Sequence, residues 1–171
     1  MGPEPVIEIV RRARSTDAPA IAAIYNEGIA ERIATFETEP RSPGFVSRLL
    51  ADHGTRLPTV VVERNAQVVA FAWLSPYRSR PCYAGVGEHS VYVGRPARRT
   101  GAGLIALNAL ITAAEEEGFW KLVSRIFPEN EASRRLHLRA GFREVGIYER
   151  HAKLEGEWHD CVIVERLLGG A

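Results

Sequence analysis

Three strand-like segments follow one another through the middle of the chain with no helical segment between them. Thr59 to Arg64 is an apolar, β-branched run, Asn65-Ala66 reads as a turn, and Gln67 to Ser75 is a second apolar run. Together they predict a hairpin. A loop rich in Arg, Pro and Tyr spans Pro76 to Gly87, and Glu88 to Val93 is a third short strand. Strands that succeed one another without helical crossovers exclude a doubly wound parallel sheet. The chain is expected to build a mixed, largely antiparallel sheet.

The flanking segments supply the helices. Residues 6–12 alternate weakly and predict a first strand. Ser15-Thr16-Asp17 offers N-caps for a helix carrying Ile21, Ile24, Tyr25 and Ile29. Phe45, Val46, Leu49 and Leu50 sit at helical spacing, with Gly54 as a stop. Leu104, Leu107, Leu110, Ile111 and Ala114 predict a long helix closed by Gly118. Lys121 to Phe127 is β-rich, and Pro128-Glu129-Asn130 opens a helix that closes at Gly141. Two last strands, about 143–153 and 158–167, are joined by a turn at Glu155-Gly156. The expectation is an α/β (α+β) fold of about seven strands and about four helices. Trp73 and Trp120 are assigned to its core, and Glu115-Glu116-Glu117 to a solvated face without a role.

Length and charge narrow the function. The 171 residues fit one domain, 1–171, with residues 1–5 expected to be flexible. With 22 Lys+Arg against 21 Asp+Glu, the net charge of +1 argues against a general nucleic-acid or membrane-surface binder. Any phosphate recognition must therefore be local. Cys82 and Cys161 lie far apart and form no C-x-x-C, which speaks against a disulfide framework or a metal site. The longest apolar run, Val68 to Leu74, is strand-sized, and no signal peptide is evident. A cytoplasmic protein is expected.

The stretch richest in chemistry is Ser90-Val91-Tyr92-Val93 followed by Arg98-Arg99-Thr100-Gly101-Ala102-Gly103-Leu104. A strand feeds a short basic turn that opens a helix. Helix N-termini carry unpaired N–H groups and a partial positive charge, and glycine lets an anion come close. Arg95, Arg98 and Arg99 add local charge. A diphosphate would suit this turn; the plain alternative is an ordinary strand-to-helix turn with solvated arginines. No Gly-Lys-Ser/Thr follows, which excludes a Walker A loop. A Rossmann fingerprint fails on spacing and on context.

These residues, together with Asn130-x-x-Ser133-x-x-Leu136-His137-x-Arg139-x-Gly141-Phe142, resemble the GNAT N-acetyltransferase superfamily over nearly the whole chain. Further segments resemble its phosphinothricin acetyltransferase branch, which includes methionine sulfone/sulfoximine and arsinothricin acetyltransferases. They are Ala34-Thr35-Phe36, Thr38-Glu39-Pro40, Tyr77-Arg78-Ser79-Arg80-Pro81-Cys82-Tyr83, Glu88 and Glu157-Trp158-His159-Asp160. Cys82 departs from the Ala common in that branch.

The resemblance implies acetyl-CoA as co-substrate, no metal, direct transfer to a small amine, and a homodimer. It implies a diphosphate site over Arg98, Arg99, Thr100, Gly101, Ala102, Gly103 and Leu104. Pantetheine would lie along Val91, Tyr92 and Val93, with Asn130 and Ser133 nearby. Glu88 is the candidate general base; the alternative is a strand-end carboxylate paired with Arg78 or Arg80. His137 is either an acid for the leaving thiolate, an orienting group, or a half-buried helix histidine. Asn130 is either a pantetheine ligand or a plain N-cap. Arg78 and Arg80 would suit an α-carboxylate or an anionic side chain, with Phe36 and Tyr83 as walls; the alternative is solubilising arginines and surface aromatics. Other functions in view are a peptide N-terminal acetyltransferase, a non-catalytic CoA-binding module and a nucleotide-binding protein.

Overall fold

The computed structural model describes residues 6–169; the start expected to be flexible, residues 1–5, lies outside the described residues. The strands are β1 (Glu8–Arg12), β2 (Thr59–Arg64), β3 (Gln67–Pro76), β4 (Val86–Val93), β5 (Lys121–Ile126), β6 (Arg143–Leu154) and β7 (Glu157–Leu167). The α-helices are α1 (Ala18–Glu31), α2 (Pro43–His53), α3 (Ala102–Glu116) and α4 (Glu131–Arg139). One seven-stranded sheet runs in the order β1-β2-β3-β4-β5-β7-β6. Every neighbouring pair is antiparallel except β4 and β5. This is the mixed, largely antiparallel sheet expected from the succession of strands without crossovers.

Successive residues of a strand face opposite sides, and the apolar strands serve two cores in this way. Val60, Val62, Ala70, Ala72 and Leu74 face α3 and meet Leu107 and Leu110. Val61, Phe71 and Trp73 face α1 and α2 and meet Ile21, Ile29 and Val46. The alanines on the α3 side of β3 leave room for that helix to lie close. The helix signals lie largely where the sequence puts them. The Ser42 hydroxyl accepts the Phe45 N–H at the start of α2, and Gly118 and Gly141 take positive φ after α3 and α4.

Three local expectations are corrected. Ser15–Asp17 forms a 3-10 turn, and the Asp17 side chain does not cap α1. Its carboxylate is taken instead by the Arg11 guanidinium at 2.7 and 2.9 Å and by the Arg14 N–H at 2.7 Å. A charge-assisted fork outcompetes a neutral backbone donor. Trp120 is not a core residue but 42% exposed. Its ring covers Gly85, where a Cβ would sit 2.0–2.5 Å from ring atoms. The acidic run is not idle: Glu117 accepts from Arg12 at 2.9 Å and Glu115 accepts the Gly169 N–H at 3.1 Å.

Leu110 is fully buried between α3 and the sheet. Leu110→Ala should cost about 2–5 kcal/mol by loss of transfer energy and creation of a cavity. Urea unfolding measures this; a loss under about 1 kcal/mol would contradict the packing described.

Candidate active site

The one parallel pair of strands in the sheet is also its shortest junction. Val86, Gly87 and Glu88 pair with Lys121, Leu122 and Val123, and the pairing ends there. The next carbonyl, that of His89, is met by the Ser124 hydroxyl at 2.9 Å rather than by a strand N–H. Beyond it, Val91, Tyr92 and Val93 stay paired to β3, and among the described residues they have no strand partner on the β5 side. The two strands therefore part around an open notch.

The chain runs from the end of β4 into the N-terminus of α3. Gly101 stands at the N-cap with φ +87°, and no atom lies within 4 Å of where its Cβ would be. No side chain caps this end, and the first turn holds no acidic residue. The leading N–H groups, which have no partner inside the helix, are thus left without a side-chain acceptor. Gly103 serves packing: its Cβ would meet Leu136 Cδ1 at 2.6 Å and Val93 Cγ2 at 3.1 Å. Arg95 and Arg98 both turn to Glu31 at 2.9 Å, and Arg98 also reaches the Val93 carbonyl at 3.1 Å. Burial alone would raise Glu31, but hydrogen bonds from Arg98 and Arg95 outweigh it and hold its carboxyl below the usual range. The Thr100 hydroxyl donates to the Ala97 carbonyl and accepts from Arg64, each at 2.5 Å. Arg99, exposed at φ +63°, has no ion pair among the described residues. The turn is held by its neighbours with its leading amides facing no side-chain acceptor.

Alternation along β4 sends its side chains to opposite faces. Tyr92 packs on Tyr25 and Phe71, which puts Glu88, Ser90 and Tyr92 on the α1–α2 face. Glu88 does not pair with Arg78 or Arg80. It is forked by Arg125 of β5, which donates from Nε to Oε1 at 3.0 Å and from Nη2 to Oε1 and Oε2 at 2.5 and 2.8 Å. Phe36 meets Phe127 edge-on at 4.7 Å and lies 6.2 Å from the His159 ring. Asn130 secures that loop: its Nδ2 donates to the Ile33 carbonyl at 3.1 Å, while Oδ1 accepts the Ser133 N–H at 3.2 Å. Arg78 and Arg80 are exposed in the β3–β4 loop. Arg78 lies over the Tyr77 ring, which meets Tyr83 edge-on at 5.6 Å.

His89 and His137 occupy the other face of β4, beside Phe142, only 1% and 2% exposed. Their Nε2 atoms are 2.9 Å apart, and His137 Nδ1 lies 2.8 Å from the Ser133 carbonyl. A carbonyl only accepts, so His137 carries its proton on Nδ1 and accepts at Nε2. His89 then donates from Nε2, which leaves its Nδ1 unprotonated and buried without a hydrogen-bond partner. Burial holds both imidazoles below their usual range. In His89 the neighbouring His137 adds to the shift and the Val123 main chain opposes it; in His137 the Ser133 carbonyl opposes it. Both nitrogens of His137 are thus engaged behind β4.

Residues 21–142 match the model of the acetyltransferase (GNAT) family. The chain belongs to that family. A phosphinothricin N-acetyltransferase of Streptomyces coelicolor is 33% identical, covering 93% of this chain and 95% of the relative. An L-amino acid N-acyltransferase of Escherichia coli K12 is 31% identical, covering 93% of each chain. The crystal structure of a GNAT-superfamily phosphinothricin acetyltransferase from Sinorhizobium meliloti, in complex with acetyl-CoA, superimposes with a TM-score of 0.88 at 28% identity. It covers 96% of this chain and 90% of that one.

Within this acetyltransferase most of the expected site residues fall into four groups. Val91, Tyr92 and Val93 line the notch, and 98–104 form the turn beside it that opens α3. Glu88 marks the fork, with Phe36 over the end of β5. Arg78, Arg80 and Tyr83 stand out on the loop, and His137 lies behind the sheet. Arg125 and His89 escape the sequence reading; strand parity next to Glu88 is the signal for His89, whereas Arg125 depends on the register of β5 against β4. Among the described residues no group of His, Cys, Asp and Glu could hold a metal ion, and no helix is long and apolar enough to cross a membrane.

The histidine pair sets a pH dependence. Below about pH 6.5 the unfolded chain binds protons that the buried imidazoles refuse, so stability falls as pH falls, by up to about 1.4 kcal/mol per pH unit for each histidine. Denaturation at pH 7 and 5.5 should show this slope in wild type and a shallower one in His89→Gln. Equal slopes would contradict the neutral pair.

Proposed function

We propose that this chain is a single-domain, cytoplasmic N-acetyltransferase that moves the acetyl group of acetyl-CoA to the α-amine of a small amino acid or amino-acid analogue. The observation that carries this is the notch where β4 and β5 part, set against the uncapped N-terminus of α3, with Glu88 at the fork. The names of the relatives from S. coelicolor and E. coli supply the acceptor class. Phosphinothricin, arsinothricin and methionine sulfone or sulfoximine are the analogues in view, with detoxification as the role.

The residues fit the co-substrate. Amides of Ala102, Gly103 and Leu104, with Gly101 leaving open space, would receive the diphosphate, and Arg99 adds charge from its side. The open edge of Val91–Val93 would pair with pantetheine and direct a main-chain N–H at the thioester oxygen. Bound acetyl-CoA supplies an activated acyl group. Glu88 takes a proton from the acceptor's ammonium, breaking N–H and forming O–H. As the N–C bond to the acyl carbon forms and C–S breaks, the nitrogen gives up its second proton to the departing thiolate, so that N–H breaks as S–H forms. His137, engaged at both nitrogens, keeps α4 docked against β4 through His89, which is the helix-histidine reading among those open to it.

Two unpaired cysteines, Cys82 exposed and Cys161 buried, suit a reducing compartment. A second copy would cover the exposed Val145, Ile147, Tyr148 and Trp158 of β6 and β7, where β6 is a sheet edge.

Glu88→Ala should lower kcat by about 10²–10⁴ with little change in acetyl-CoA affinity. Thiol-release kinetics and calorimetry separate the two; an equal loss of cofactor binding would argue against a base. Gly101→Val should weaken acetyl-CoA binding, since φ +87° strains a branched residue and a side chain enters the cradle. Unchanged Kd would contradict the cradle.

A further inference from the structure

The fork that holds Glu88 belongs to a residue with no task in the transfer described so far. Arg125 follows Val123 by two positions in β5, and Val123 is the partner of Glu88. All three therefore share the α1–α2 face. The pair is no buried clasp: the Arg125 side chain is 46% exposed and that of Glu88 26%. Among the described residues Glu88 is the only carboxylate within ion-pair distance of Arg125. Exposed pairs of this kind stabilise a fold little, so position is the informative feature. The pair sits where the strands part, two residues before Phe127, on which Phe36 packs.

We propose that Arg125 is the receptor for the acceptor's α-carboxylate. The inference rests on the acetyl-transfer reading of this same site. An α-amino acid is a zwitterion whose ammonium and carboxylate flank one carbon. It matches a carboxylate and a guanidinium that already face each other. On binding, the substrate carboxylate takes the Arg125 fork and the substrate ammonium takes Glu88. One ion pair within the protein becomes two with the ligand, and no charge is left unmatched. The exchange also turns Glu88 from the guanidinium toward the amine whose proton it must accept.

Selection and base release thus lie in one residue. An amine without an adjacent carboxylate, such as the first residue of a peptide, meets Glu88 still held by Arg125. Arg78 and Arg80, which have no carboxylate partner among the described residues, are left for an anionic side chain at the far end of the acceptor.

The test compares phosphinothricin, methionine sulfone and L-methionine, each beside its α-carboxamide, as acceptors with acetyl-CoA. Wild type should favour the acids over the amides by about 100-fold in kcat/KM, the scale set by losing charge-assisted hydrogen bonds. In Arg125→Gln that preference should collapse to within about threefold, chiefly through a higher KM for the acids. Arg125→Lys, which keeps the charge without the fork, should fall between. An acid-to-amide ratio that survives in Arg125→Gln, including through an equal loss on both, overturns the proposal and leaves the acetyl-transfer reading standing. Wild-type enzyme that acetylates none of the six amines overturns both.

Discussion

The structure depends on a parallel strand pair that ends almost as soon as it begins. β4 and β5 hold together only from Val86 to Glu88, against Lys121 to Val123. Two features terminate the pairing. The Ser124 hydroxyl takes the His89 carbonyl that a strand amide would otherwise claim. On the same side, the His89, His137 and Phe142 rings fill the space where α4 packs against β4. Main-chain groups buried without partners are costly, so an unpaired strand edge of this kind needs water or a ligand. The same parting places Glu88 at the fork and aims the end of β4 toward the start of α3. The proposed base, acyl-binding edge and anion site therefore all trace to one interruption in one sheet.

Charge is arranged locally around that interruption. The chain is almost neutral overall, at +1, and the arginines near the cradle are mostly committed. Arg95 and Arg98 fix the loop to α1 through Glu31, and Arg64 fixes Thr100. The positive end of the site comes mainly from backbone amides at a helix terminus, which cost no reorganisation when an anion arrives. On the opposite side of the notch, Arg125 and Glu88 neutralise one another; in the proposal above, a ligand carrying both charges separates them.

Much of this was legible in the sequence, because period and punctuation decide it. The continuous apolar runs of β2 and β3 and the glycines at 101, 118 and 141 each report a local conformation, and the structure realises them. The basic turn could be singled out because its motif is continuous, and Glu88 because the family resemblance points to its position. What escaped depends on register across distant strands. Arg125 becomes a neighbour of Glu88 only when β5 is slid to pair Val123 with it. His89 turns inward because it is one residue out of phase with Glu88, a difference invisible until the faces are assigned. Trp120 misleads because its apolar ring is satisfied by the bare backbone of Gly85 at the surface, and Asp17 because Arg11 offers it a stronger partner than the helix amides.

Residue-resolved NMR of ¹⁵N-labelled protein during addition of coenzyme A examines the central claim most directly. The account requires the largest amide displacements at Ala102, Gly103 and Leu104 and along Val91 to Val93, saturating together. Saturable displacement confined to other parts of the sheet, with those amides unmoved, would contradict it.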